Sequence, residues 1–327
     1  MVVWLLRLSL AALLLFGSDV LLWADIQTRP ISEWLLHSVG YLILATLLLD
    51  VCVRYRIRDI YDGMAAVAIY ALIAGLLITP QVSLADFPRT LVSRTLGGHN
   101  LGGAVGFGIF LVLTAGHLPR YRRVLIAGMA WTGFYWGTWM RWTPEFSPLF
   151  TQIVDLPTML FYAVVPVALG LLFFLLAQQP KAPLTPADFQ LSTVGGLFLL
   201  LALTLIFMIR VVQSTLNVAA LGLTLALIGV CIGILWFRRN EKAPLLMSAH
   251  IPPTPLHPIW VLLSGIVFVG MTILGYALPL VGTPDYNQLF LMELGYVGVG
   301  FLWLPIVAGV IAMRGIDYQM RTRQLDA

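Results

Sequence analysis

The sequence predicts an all-α, polytopic transmembrane helix bundle of about ten spans with both termini in the cytoplasm. Three observations carry this. The residues are 60% hydrophobic and only 10% charged, against about 45–50% apolar and about 25% charged in a soluble domain. Ten apolar stretches each approach the roughly 20 residues needed to cross a hydrocarbon core of about 30 Å. Lys and Arg then collect in every second gap between those stretches. The runs are continuously apolar, as in LILATLLLDV and GLFLLLALTLIFMI. A transmembrane barrel would alternate along each strand instead. With no water to satisfy the backbone inside the bilayer, the spans should be helices.

The expected spans are 3–23, 32–53, 62–79, 100–116, 123–140, 157–177, 191–213, 217–237, 258–280 and 289–313. The first is too long for a signal-peptide core, is interrupted by Arg7 and lacks a small-x-small cleavage site, so it reads as a retained helix. No lipidation motif stands at either end. The second span ends at Arg54, Arg56 and Arg58. Segment 80–99 contains LADFPRTLVSRTL, with Asp86, Arg89, Ser93 and Arg94 near one helical face and Phe87, Leu91 and Leu96 near another. It reads as a short interfacial helix on the external side.

The fourth span opens at His99 and Asn100 and ends before Arg120, Arg122 and Arg123. Gly98, Gly102 and Gly106 recur four apart there, a small-residue face that admits a closely packed helix of this chain or of another membrane subunit. The fifth span is dense in aromatics, seven between Trp131 and Phe146, and ends at the external interface. Aromatic belts anchor helix ends among headgroups, but this density exceeds anchoring needs. Trp136, Trp139 and Trp142 are therefore candidate substrate contacts.

After the sixth span, the Pro-rich QQPKAPLTPA divides the chain into possible five-helix halves, 1–179 and 180–327, within one integral-membrane domain. An odd number of helices per half would make any repeat inverted, though the halves share no sequence similarity. The seventh and eighth spans precede Arg238, Arg239 and Lys242, and the ninth follows a Pro-rich loop. The tenth carries Gly295, Gly298, Gly300 and Pro305, packing and kink positions. No soluble domain is expected.

With the span-end residues Arg123 and Arg210 counted in the adjoining gaps, the even-numbered gaps and the C-terminal segment hold 13 basic residues and the odd-numbered gaps hold 5. This positive-inside bias sets both termini inside. Arg outnumbers Lys by 17 to 2, the composition of a GC-rich genome, and a bacterial plasma membrane is the expected location. The scattered basic residues form no extended face, which excludes nucleic acid as a partner and leaves the lipid bilayer. Cys52 and Cys231 fall inside spans, so no disulfide framework is expected.

Charged residues inside a membrane are functional candidates by default. Asp19, His37, Arg210 and Glu293 all lie near the expected external ends of their spans. The middle of the membrane holds almost no ionisable residue. That distribution argues against a proton- or sodium-driven carrier with a charged midplane site, and favours a cavity open to the external side. Helix-end charges also snorkel at little cost, and Asp19 or Glu293 could pair with Arg210. The five histidines show no spacing suited to zinc or haem, so no metal or cofactor is expected. Phosphate-loop, nucleophile-elbow and H-E-x-x-H motifs are lacking.

A transport protein of permease type for a small or amphiphilic solute fits these features best. A non-catalytic subunit of a larger membrane complex is an alternative. A membrane-embedded enzyme acting on a lipid-linked substrate is another, with a carboxylate or His37 as acid or base and Arg210 holding a phosphate.

Overall fold

The computed structural model describes residues 1–22, 29–115, 119–146, 155–178, 184–213, 215–216, 218–238, 256–278 and 286–325; the side chains of 141–146, 286–293 and 315–325 lie outside the description. Every regular element among the described residues is a helix. In chain order these are α1 (Val2–Leu15), π1 (Phe16–Val20), α2 (Ile31–Arg54), α3 (Ile60–Ile73), π2 (Ala74–Ile78), α4 (Pro80–Ser83) and π3 (Leu91–His99). Then follow α5 (Asn100–Thr114), α6 (Pro119–Phe146), α7 (Leu156–Ala177), a 3-10 turn (Pro186–Phe189), α8 (Thr193–Val212), α9 (Val218–Arg238), α10 (Pro258–Ala277) and α11 (Tyr286–Leu325).

Among the described residues, nine helices are long and apolar enough to cross a membrane. The chain is an integral membrane protein of the polytopic all-α class. The tenth expected span, 123–140, lies within α6. That helix has 28 residues and so runs about 42 Å, but its tryptophans, tyrosines and arginines keep it out of the apolar set. The expected interfacial helix is replaced in part: residues 91–99 are π-helical and run straight into α5, so this candidate span starts at Leu91. The reason is burial. Ser93, Thr95, His99 and Asn100 are all packed inside the protein rather than lying along a surface.

The packing divides into two compact units that interleave along the chain. The first comprises Met1–Ala45, Val105–Thr185 and His250–Gly295. Here α1 packs on α7 and α6 on α10. Small residues set these distances. A Cβ on Gly137 would overlap the Thr272 carbonyl oxygen and lie 2.9 Å from Tyr276 N; one on Gly275 would lie 2.9 Å from Thr138 N. Gly133 faces the Phe268 carbonyl in the same way. This Gly133-x-x-x-Gly137 seam brings the α6 and α10 backbones together, as small residues do in membrane helix pairs. Ser9 ties α1 to α7 by donating to the Gly170 carbonyl at 2.7 Å.

The second unit comprises Thr46–Ala104, Pro186–Ala249 and Tyr296–Ala327. Here α3 packs on α9. Gly97 and Gly300 join π3 to α11: their Cβ positions would overlap the carbonyl oxygens of Tyr296 and Val92. Trp303 Nε1 donates to the Met64 carbonyl at 3.1 Å. Along α8, Leu197, Phe198, Leu201 and Leu205 are exposed. Lipid solvates such a face without penalty.

Candidate functional site

The first unit holds a buried charged cluster built from three consecutive pieces of chain. π1 presents Asp19, the following connection supplies Arg29, and the first turns of α2 supply Glu33, His37 and Tyr41 at four-residue spacing, which puts them on one helical face. π1 adds an extra residue to a helical turn, with Leu21 N bonding the Phe16 carbonyl at 2.7 Å. Such insertions re-aim side chains and concentrate at functional sites.

Asp19 is fully buried. Its Oδ2 accepts from His37 Nδ1 at 2.6 Å and from Arg29 Nη1 at 2.7 Å, and its Oδ1 accepts from Tyr41 Oη at 2.9 Å. Three donors, one of them a guanidinium, replace the water that this carboxylate loses. The other ring nitrogen of His37, Nε2, lies 3.6 Å from Glu33 Oε2. Glu33 is the outermost member, its side chain 25% exposed against 4% for His37. The Arg29 guanidinium sits 4.8 Å over the Trp34 ring, and Trp34 stacks on Tyr162 of α7 at 5.8 Å.

Arg210 lies in the second unit and is also fully buried. Its Nε and Nη2 donate to the carbonyls of Leu77 and Ile78 at 2.9 and 2.7 Å, and Nη1 donates to Gln213 Oε1 at 2.7 Å. The local cause is the end of π2. Val82 N and Ser83 N, donors that would continue the helix, both bond the Thr79 carbonyl, so the Leu77 and Ile78 carbonyls need another donor. A cation there also complements the helix dipole. Next to this end, Thr79 Oγ1 bonds His99 Nε2 at 2.8 Å. Thr95 Oγ1 and both amide atoms of Asn100 are buried without a hydrogen-bond partner among the described residues.

Of the sequence candidates, Asp19 and His37 are thus in direct contact, and Arg210 has its own setting. The side chains of Glu293 and Trp142 lie outside the described residues. Trp136 is fully buried, edge-on to Phe16 at 6.3 Å, and Phe16 in turn meets Phe268 at 5.4 Å. That ring is packed in the core between helices. Trp139 stacks on Tyr135, one turn earlier, at 6.3 Å. Gly98, Gly102 and Gly106 are all buried within the chain, and a Cβ on Gly106 would lie 2.7 Å from the Leu13 carbonyl oxygen. At Gly106 the neighbour is therefore α1 of this chain.

A second set of charges is buried away from Asp19. Asp50, Arg58 and Asp62 are buried as well. Asp50 is 13 residues from His37 along α2, about 20 Å toward its other end. It receives Arg54 at 2.9 Å and Leu191 N at 2.8 Å. Asp59 caps α3 by accepting from Tyr61 N and Asp62 N, and pairs with Arg314. These residues sit near helix ends, where sequence position does not reveal burial. Arg29 and Tyr41 were missed for a different reason. Arg29 belongs to a loop, and Tyr41 reads as one apolar position among many. The i, i+4, i+8 spacing of Glu33, His37 and Tyr41 was the available signal.

An apolar groove of about 570 Å³ runs between α7 and α10, lined by residues such as Val164, Leu171, Val261, Gly265, Phe268 and Ile273. It offers no charged group and suits a hydrocarbon chain. Among the described residues, no His, Cys, Asp and Glu cluster has the arrangement of a metal site. No family model matches this chain, and no curated protein or solved structure is similar to it.

Proposed function

We propose that the chain is a permease-type protein for a small or amphiphilic solute, set in a bacterial plasma membrane with both termini in the cytoplasm. One observation carries the reading. A carboxylate, a guanidinium, an imidazole and a phenol converge inside an apolar bundle where a helix departs from α geometry. Burying ionisable groups within spans is costly and is retained at substrate and ion pathways. Irregular helices at such sites are common in transporters. The 13-to-5 charge bias supports the orientation, with α6 counted as a span.

The test is reconstitution of the full chain into lipid vesicles. Permeation of glycerol, an amino acid, a quaternary amine and a fluorescent single-chain lipid is followed against protein-free vesicles. At least one should cross at least about tenfold faster, and Arg29→Gln should lower that rate in protein that remains monodisperse. Chemical conversion of a probe without net movement would favour the enzyme alternative. Equal rates for every probe, with and without protein, would remove the transport reading.

A further inference from the structure

The cluster around Asp19 is graded. Glu33 is partly exposed, His37 is nearly enclosed, and Asp19 is wholly enclosed. His37 stands between the two carboxylates with a different ring nitrogen facing each, Nδ1 at 2.6 Å from Asp19 and Nε2 at 3.6 Å from Glu33. A structural histidine needs one satisfied nitrogen. An imidazole bracketed by two carboxyl groups, one outer and one inner, is the arrangement of a proton wire, in which the ring accepts on one nitrogen and releases from the other. Among the described residues, the remaining ionisable groups facing the pair are Arg29, which precedes α2, Tyr41 from α2 and, through Trp34, Tyr162 from α7.

We propose that Glu33, His37 and Asp19 form a proton-loading relay, so that the coupling ion of this protein is a proton; this rests on the transport reading above. In the loading step, a protonated Glu33 approaches His37 and its proton bonds to Nε2. The Nδ1 proton passes at the same time to Asp19 Oδ2. The O–H bond of Glu33 and the N–H bond at Nδ1 break; an N–H bond at Nε2 and an O–H bond on Asp19 form. Glu33 is left as a carboxylate, His37 is neutral in its other tautomer, and no electrons change hands. Loading removes the negative charge that holds Arg29 at 2.7 Å. The Asp19–Arg29 ion pair is thereby broken, and this is how the proton acts on the cluster. The layer that argued against ion coupling in the sequence is then the place where coupling occurs.

The experiment is difference infrared spectroscopy of the full chain in lipid, after a jump from about pH 8 to about pH 5, the window in which a relay through histidine operates. The wild type should gain a buried carboxylic-acid C=O band that shifts in deuterated water and on selective aspartate labelling with carbon-13. Asp19→Asn should abolish it. Glu33→Gln, at a partly exposed position, should keep the band but slow its appearance at least about tenfold. If Asp19→Asn does not fold, the labelled wild type and the Glu33→Gln kinetics still decide. A band that ignores aspartate labelling, or one that forms equally fast in Glu33→Gln, overturns the relay. Vesicle permeation judges transport separately: a band with no permeation keeps proton loading and removes coupled transport, and permeation with no band does the reverse.

Discussion

The α6–α10 seam allows a prediction with internal controls. In Gly137→Ala the new methyl would overlap the Thr272 carbonyl oxygen and sit 2.9 Å from Tyr276 N, where ordinary contact begins at 3.4 Å. The obstacle is backbone, so no rotamer change relieves it. The helices must separate by at least about 0.5 Å along the whole seam, weakening the paired contact at Gly133 and Gly275. Overpacking of this kind costs about 1–3 kcal/mol, offset by up to about 1 kcal/mol of helix propensity that Ala gains over Gly. We expect a net loss of roughly 2 kcal/mol, close to a 30-fold fall in the folding equilibrium. Gly128 on the same helix and Gly270 on α10 have nothing within 4 Å of a Cβ. Their alanine variants should be neutral or slightly stabilised. The assay is reversible unfolding in mixed micelles, followed by tryptophan fluorescence, with all three variants in parallel. Equal stability for Gly137→Ala and Gly128→Ala would refute the close backbone approach and the argument that places α6 within the bundle.

Other outcomes are specific to single residues. Arg210→Met, which strands the Leu77 and Ile78 carbonyls, should cost about 3 kcal/mol, and Arg210→Lys should recover only part of it because an ammonium cannot reproduce the fork; thermal unfolding of the two variants checks this. Asp50→Ala removes the acceptor of Leu191 N and of Arg54 and should lower stability by about 1–3 kcal/mol, with proteolysis near residue 191 accelerated. Cys52 and Cys231 are both buried, so a membrane-impermeant maleimide should leave them unlabelled in intact cells. In that background Gln81→Cys should be labelled and Ala187→Cys should not. Reversed labelling would overturn the proposed orientation.

Much of the fold was legible because lipid imposes a simple rule. A segment that crosses must be long and apolar, and Val2–Val20 or Pro258–Ala277 declares itself by that alone. The exception shows the limit. α6 is held by glycine contacts and aromatic packing, and Trp136 inside the core carries a polar nitrogen that composition treats as surface. Asp19 and His37 were visible as ionisable residues in apolar runs. Their partners were not, since Arg29 and Tyr41 join the cluster only through where π1 aims Asp19.

The alternation of apolar stretches and basic gaps therefore determined the fold class, the approximate spans and the expected orientation, because each depends on transfer of individual segments between water and lipid. Tertiary structure alone decided which buried charges meet. Asp19 turns to Arg29, His37 and Tyr41, and Arg210 turns to the open end of π2. Those choices depend on helix rotation, π-helical insertions and backbone approach at glycine. No term in a one-dimensional hydropathy pattern encodes them, because rotating a span about its axis leaves its apolar length and flanking charge unchanged.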